Sequence, residues 1–170
     1  MRGQILITGG HFNDDGAEQI LLSTEIVDPS DSVTCKSYSL PNPMKYAASA
    51  SIENPFLVLI CGGESQNHTT LSECWHLSEN SNWFIDVSLN DPRSQFSLTS
   101  VRNQILAVGG KQVNGAISSV EKYDRFSKKW EKLANIPMKV FAHCTANYGE
   151  NEMVTFGGQT QNSNGLFKVH

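Results

Sequence analysis

The chain has 170 residues, ordinary for one domain and long enough to bury a sizeable core. Its 13 Lys and Arg against 17 Asp and Glu leave a net charge of -4 with no run of one sign, so nothing offers a phosphate backbone a basic field, and no nucleic-acid partner is expected. No apolar run approaches membrane-spanning length and Met1 to Ile7 carries no signal-peptide pattern; the expectation is a cytoplasmic protein with no membrane association.

From the N-terminus, the apolar run Ile5-Leu6-Ile7-Thr8 closes on Gly9-Gly10. The same figure returns as Leu57 to Cys61 before Gly62-Gly63, Ile105 to Val108 before Gly109-Gly110, and Met153 to Phe156 before Gly157-Gly158. The first glycines of successive pairs stand 53, 47 and 48 residues apart, a near-constant period that marks a repeat protein. Each run is short, continuous and rich in β-branched residues, which predicts a buried strand; glycine closes it by permitting unusual backbone angles and close approach of another chain. A phosphate-cradling loop is excluded, because neither GxxxxGK[ST] nor GxGxxG follows any pair.

The copy from Asp91 to Met138 is the clearest. Strands are predicted over Ser97 to Val101 and Ile105 to Val108, then, after a polar loop from Lys111 to Ala116, over Ser118 to Asp124 and around Trp130 to Leu133. Four short antiparallel strands in about 50 residues describe one blade of a β-propeller, a sheet that must stack on neighbours to bury both faces. The predicted division is a partial blade over 1–40, blades over 41–90 and 91–138, and a partial blade over 139–170. The first copy lacks its innermost strand and the last stops near its third at His170, so about three and a half blades are expected, an incomplete all-β propeller that reads as a piece of a longer protein.

Pro92-Arg93, Gly109-Gly110, the Val120 to Asp124 segment, Trp130 and Pro137-Met138 resemble, in order and spacing, the kelch repeat. In the second copy Glu73-Cys74-Trp75-His76 stands for the Glu-x-Tyr-Asp segment and Trp83 for the following tryptophan. In the first, Val27 replaces the tyrosine and Cys35 the tryptophan. The arginine position reads Tyr46 in the second copy and Phe141 in the fourth, so a repeated arginine role is not expected. Tyr123, Trp75, Trp83 and Trp130 follow the strand period, which suits large flat side chains packed between sheets rather than a stacking platform in loops.

Recognition is expected in the loops after the glycine pairs, at His11 to Gln19, Glu64 to Thr70, Lys111 to Ala116 and Gln159 to Asn164. They are polar and unequal: Gly10 to Glu25 spans 15 residues, Gly63 to Glu73 spans 10 and Gly110 to Glu121 spans 11. By resemblance to kelch substrate adaptors, His11, His68, Arg93, Lys111, Gln112 and Asn114 are implied to lie on a partner-binding face.

Other chemistry finds little support. His11, His68, His76, His143 and His170 lack metal-ligand spacing, no cofactor motif is present, and no GxSxG elbow anchors a nucleophile. Cys35, Cys61, Cys74 and Cys144 form no CxxC pair and read as free, buried thiols in a reducing compartment. Asn67-His68-Thr69 is one glycosylation sequon, which matters only if the parent protein is secreted. The resemblance therefore implies a protein-binding module, not an enzyme, and points to the substrate-recognition part of a cullin ubiquitin-ligase adaptor. Its rivals are a fragment of a kelch-propeller enzyme acting on sugars, an epimerase or oxidase, and an actin-associated kelch protein.

Overall fold

The structure is a computed structural model and describes residues 5–28, 30, 35–53, 56–78, 80, 82–149 and 152–160. The predicted third strand of the last copy, most of the Gln159 to Asn164 loop and His170 lie outside the described residues.

Blade 1 comprises β1 (Ile5–Thr8), β4 (Ser23–Val27) and β5 (Cys35–Ser39), paired in that order; between β1 and β4 the chain makes a ribbon of β2 (His11–Asp14) and β3 (Ala17–Ile20). Blade 2 is β6 (Ala48–Glu53), β7 (Phe56–Cys61), β8 (Cys74–Leu77) and β9 (Trp83–Asp86), in sequence order. In blade 3, β10 (Ser97–Val101), β11 (Gln104–Val108), β14 (Val120–Asp124) and β15 (Lys129–Leu133) repeat that sheet, with a two-residue ribbon of β12 (Lys111–Gln112) and β13 (Gly115–Ala116) after the glycines. Blade 4 shows β16 (Phe141–Tyr148) paired with β17 (Glu152–Gln159). All pairings are antiparallel. Two segments read as loops, His11 to Gln19 and Lys111 to Ala116, thus carry hairpins: their backbone groups pair with each other rather than with water.

The sheets stack through their inner strands. Ile52, Leu59, Leu89, Phe96, Leu98, Ile105, Tyr123 and Trp130 form one buried cluster across blades 2 and 3, while Ile26, Val58 and Leu77 join blade 1 to blade 2. Tyr123 faces Trp130 on the neighbouring strand with ring centroids 5.2 Å apart. The fourth-strand tryptophans also reach back one blade: Trp130 Nε1–H donates to Val87 O at 3.1 Å and Trp83 Nε1–H to Thr24 Oγ1 at 3.2 Å. The apolar body thereby fills the gap and its one polar group is satisfied.

Register fixes which residues are equivalent. The first glycine of each pair donates its N–H to the residue before the third strand, Gly9 to Ser23 O, Gly62 to Glu73 O and Gly109 to Ser119 O. Glu73 is therefore the counterpart of Ser119, two positions earlier than the sequence alignment placed it. Leu77, not Trp75, stands where blade 3 has Tyr123, opposite Trp83 as Tyr123 is opposite Trp130. Trp75 occupies the place of Glu121. The arginine position is corrected in the same way: Arg93 O accepts from Gly63 N–H as Val140 O does from Gly110 N–H, and Met44 O abuts Gly9 as Arg93 O abuts Gly62. Its counterparts are Met44 and Val140, not Tyr46 and Phe141.

Two glycines show why the pairs recur. Gly62, at φ 64°, lies so close to the next blade that a Cβ would strike the Arg93 carbonyl and come within 2.8 Å of the Phe96 ring; at Gly63 it would meet Lys45 O at 2.6 Å. Successive blades are also stitched by backbone bonds near the start of each inner strand: Gln95 N–H donates to Tyr46 O at 3.0 Å and Ala142 N–H to Gln95 O at 2.7 Å. Tyr46, Gln95 and Ala142 all hold positive φ, at 58°, 51° and 54°. Non-glycine residues adopt this region only where surrounding bonds impose it.

The cysteines correct another expectation. Cys61 and Cys74 are register partners on β7 and β8, both fully buried, and are joined as a disulfide; Cys144 is free but exposed. The same register pair holds Thr8 and Thr24 in blade 1, hydroxyl to hydroxyl at 2.8 Å, and Val108 with Val120 in blade 3.

Candidate functional site

Because the strands alternate in direction, the loops after the glycine pairs and the segments entering each inner strand gather at one end of the stacked blades. There the β2–β3 ribbon of blade 1 meets blade 2. Lys45, whose side chain is only 3% exposed, donates from Nζ to Glu18 Oε2 at 2.5 Å and lies 3.3 Å from His68 Nδ1. An ammonium only donates, so Nδ1 is the acceptor in this contact. His11 Nε2 lies 3.7 Å from Glu18 Oε1 and 3.5 Å from Tyr46 Oη, with the His11 and Tyr46 rings packed edge to face at 5.1 Å. Gln66 Nε2 donates to Glu18 O at 3.1 Å. The Lys45 hydrogen bond holds the Glu18 carboxyl below its ordinary pKa, against a smaller opposing push from burial.

The neighbouring part of the same end belongs to blade 3. Ser94 and Lys111 exchange backbone hydrogen bonds at 2.9 and 2.8 Å, Ser94 Oγ donates to Glu64 Oε1 at 2.8 Å, and Lys111 Nζ lies 5.6 Å from the centre of the Phe141 ring. Gln112 is half-buried in the β12–β13 ribbon and Asn114 is exposed at its turn.

Arg93 is the exception among the residues implied for this face: it is fully buried. Its Nη2 pairs with Glu121 Oε1 at 2.5 Å, and its other donors reach Gly109 O, Ser119 O and Ser119 Oγ at 3.0 to 3.1 Å. Burial lowers the guanidinium pKa while Glu121 pushes it back up, and the pair ties the segment entering the inner strand to the third strand of the same blade. Arg93 therefore braces the blade beneath the face. His11 and His68 are brought together, Lys111, Gln112 and Asn114 form a second cluster, and Glu18, Lys45, Tyr46, Ser94 and Phe141 are members that sequence reading did not single out. Glu18 lay within a loop already marked. Lys45 carried no signal and Tyr46 was noted only at the arginine position, since their role depends on blade 1 folding over them.

The arrangement offers hydrogen-bond donors, acceptors and aromatic edges across three blades. Among the described residues no group of three His, Cys, Asp or Glu is placed to hold a metal ion.

Stacked antiparallel sheets, four-stranded in blades 2 and 3 and packed through their inner strands, define a β-propeller repeat protein. A kelch motif matches residues 92–137, the whole of blade 3 with its flanking loops. Rat Kelch-like protein 36 is 33% identical over 79 residues, 46% of this chain and 13% of that protein; human Kelch-like protein 33 is 29% identical over 124 residues, 71% of this chain and 23% of the relative. Spermatocyte protein spe-26 of Caenorhabditis elegans is 23% identical over 126 residues, covering 71% and 22%. The chain carries a kelch motif and spans less than a quarter of the length of these relatives.

Proposed function

We propose that the loop end of blades 1 to 3 binds a segment of a partner protein, and that the module serves in the cytoplasm as the substrate-recognition part of a cullin ubiquitin-ligase adaptor. The observation that carries this reading is the meeting of His11, Tyr46 and His68 from two blades beside the Lys111 ribbon of a third. Tyr46 is 40% exposed and edge-packed on His11, an aromatic anchor with a polar tip of the kind that dominates interface energetics. Similarity to kelch-like proteins supports the adaptor role and favours a binding module over a sugar-converting enzyme.

The test is cross-linking capture from cytoplasmic extract by the full-length protein, comparing wild type with a Tyr46→Ala, Lys111→Glu variant and with Phe84→Ser on the outer strand of blade 2. Loss of the same partners, and of their ubiquitination, in the first variant alone is the expected result. Equal capture by all three sinks the reading, as does sedimentation with actin filaments unaffected by the loop-end changes.

A further inference from the structure

Cys61 is the last residue of β7 and Cys74 the first of β8, so their bond closes the base of the blade 2 loop across a sequence separation of 13. That loop reaches both neighbouring blades. Glu64 accepts Ser94 Oγ–H at 2.8 Å toward blade 3, and Gln66 donates to Glu18 O at 3.1 Å in the blade 1 ribbon, beside the 3.3 Å contact of His68 with Lys45.

Backbone pairing within this loop is shorter than in the blades beside it. The blade 1 loop is a ribbon of four register pairs, from His11 with Ile20 to Asp14 with Ala17, and the blade 3 loop a ribbon of two. In blade 2 the loop closes on one bridge, Glu64 with Thr70, and Ser65 N–H donates to Thr69 O at 3.0 Å. A covalent tie at the base removes conformations that so short a ladder leaves open. At the same register pair blade 1 has Thr8 with Thr24 and blade 3 has Val108 with Val120, side chains that form no such bond.

We infer that the Cys61–Cys74 pair is a thiol–disulfide switch that sets how firmly the blade 2 loop is held. Its consequence for partner binding rests on the loop-end reading proposed above, which also places the bond in the cytoplasm, where the disulfides that form are mostly redox-responsive. Both sulfurs are fully buried, but they sit on the rung next to the loop. Opening the loop and the 2.8 Å bond from Gly62 N–H to Glu73 O admits a small reductant while the rest of the sheet stays paired.

In the reducing direction a thiolate of a dithiol attacks one sulfur, the S–S bond breaks, and the other sulfur leaves as a thiolate. The second thiol of the reductant then displaces the first sulfur. Two electrons pass from the dithiol to the pair, the dithiol ends as its own cyclic disulfide, and its two protons end on Cys61 and Cys74. A small disulfide such as oxidised glutathione runs the exchange backwards and leaves as two thiols.

The test treats the folded, full-length protein with dithiothreitol or with oxidised glutathione, then follows amide hydrogen exchange and caps free thiols with iodoacetamide in denaturant for mass spectrometry. Capping of Cys61 and Cys74 is expected after dithiothreitol alone. With it should come exchange roughly tenfold faster at the Ser65, His68 and Leu71 amides, and unchanged exchange in β10 and β11 of blade 3. Cys61→Val with Cys74→Val, which copies the blade 3 pair, should show the fast loop under both treatments; Cys61→Thr with Cys74→Thr, after blade 1, serves where the valine pair fails to fold. A bond that dithiothreitol leaves intact in the folded protein, loop exchange indifferent to its reduction, or an equal response to dithiothreitol in the variants overturns the inference. Each of these results leaves the loop-end reading standing, because that reading is tested by partner capture.

Discussion

Blades 2 and 3 share one backbone plan yet settle the same interior position by opposite means. Blade 3 buries Arg93 against Glu121, and Glu121 also accepts the N–H and side-chain amide of Asn90, both at 2.8 Å, and the Asp91 N–H at 3.1 Å. Blade 2 has Met44 in place of Arg93 and Trp75 in place of Glu121, packed with Leu40 and Ile60. Pro41, which has no N–H, stands where blade 3 has Asn90. The substitutions are mutually consistent: the acceptor disappears together with the guanidinium and both Asn90 donors that used it. A buried ion pair and an apolar contact of similar volume are thus interchangeable within one fold, provided the whole polar set changes at once.

The largest expected effect follows from breaking that set in part. Glu121→Leu alone strands a buried guanidinium and several N–H groups and should cost about 3–5 kcal/mol, read as a lower denaturation midpoint in urea. Adding Arg93→Met and Asn90→Pro, the residues blade 2 has at those two positions, should restore most of the loss; a triple variant no better than the single one would refute the view that the polar set changes as a unit. Next comes the Cys61–Cys74 bond, whose replacement by the valine pair of blade 3 should cost about 2–3 kcal/mol under oxidising conditions and almost nothing after reduction, compared by thermal melts with and without reductant. Thiol trapping in intact cells would show whether the bond is present in a cytoplasmic setting, where disulfides are uncommon.

A smaller effect depends on pH. Burial lowers the His143 pKa below its ordinary 6.5, partly countered by the Val108 backbone, so the unfolded chain binds the proton more readily than the folded one. The stability from this group is present above pH about 6.5 and lost as pH falls through the lower folded value. His143 fills the position that Phe96 holds one blade earlier, and His143→Phe should flatten the fall in melting temperature on acidification. Smallest of all is Trp75→Phe: the Trp75 indole N–H is buried without a hydrogen-bond partner among the described residues, so deleting the donor should leave stability within about 1 kcal/mol of wild type.

The glycine pairs made the repeat legible, because close approach between blades leaves a mark at single positions. Blade 2 misled for a local reason: Glu73 imitates Glu121, and aligning the two displaces β8 by two residues. In that frame Cys74 falls opposite Leu59 instead of Cys61, which hides the disulfide. Arg93 read as a loop cation since its partner lies 28 residues away on another strand and nothing in the sequence joins them. The His11–Glu18–Lys45–His68 cluster was half visible, because loops can be marked from composition whereas which loop folds over which is decided by the stacking of whole sheets.

The stitch that runs from Tyr46 to Gln95 to Ala142 is made by main-chain atoms alone. A phenol, an amide and a methyl group occupy the three steps without altering how one blade follows the next. The axle of the assembly is therefore indifferent to what is mounted on it. Chemistry at the loop end can be rewritten one residue at a time while the spacing of the blades stays as the backbone set it.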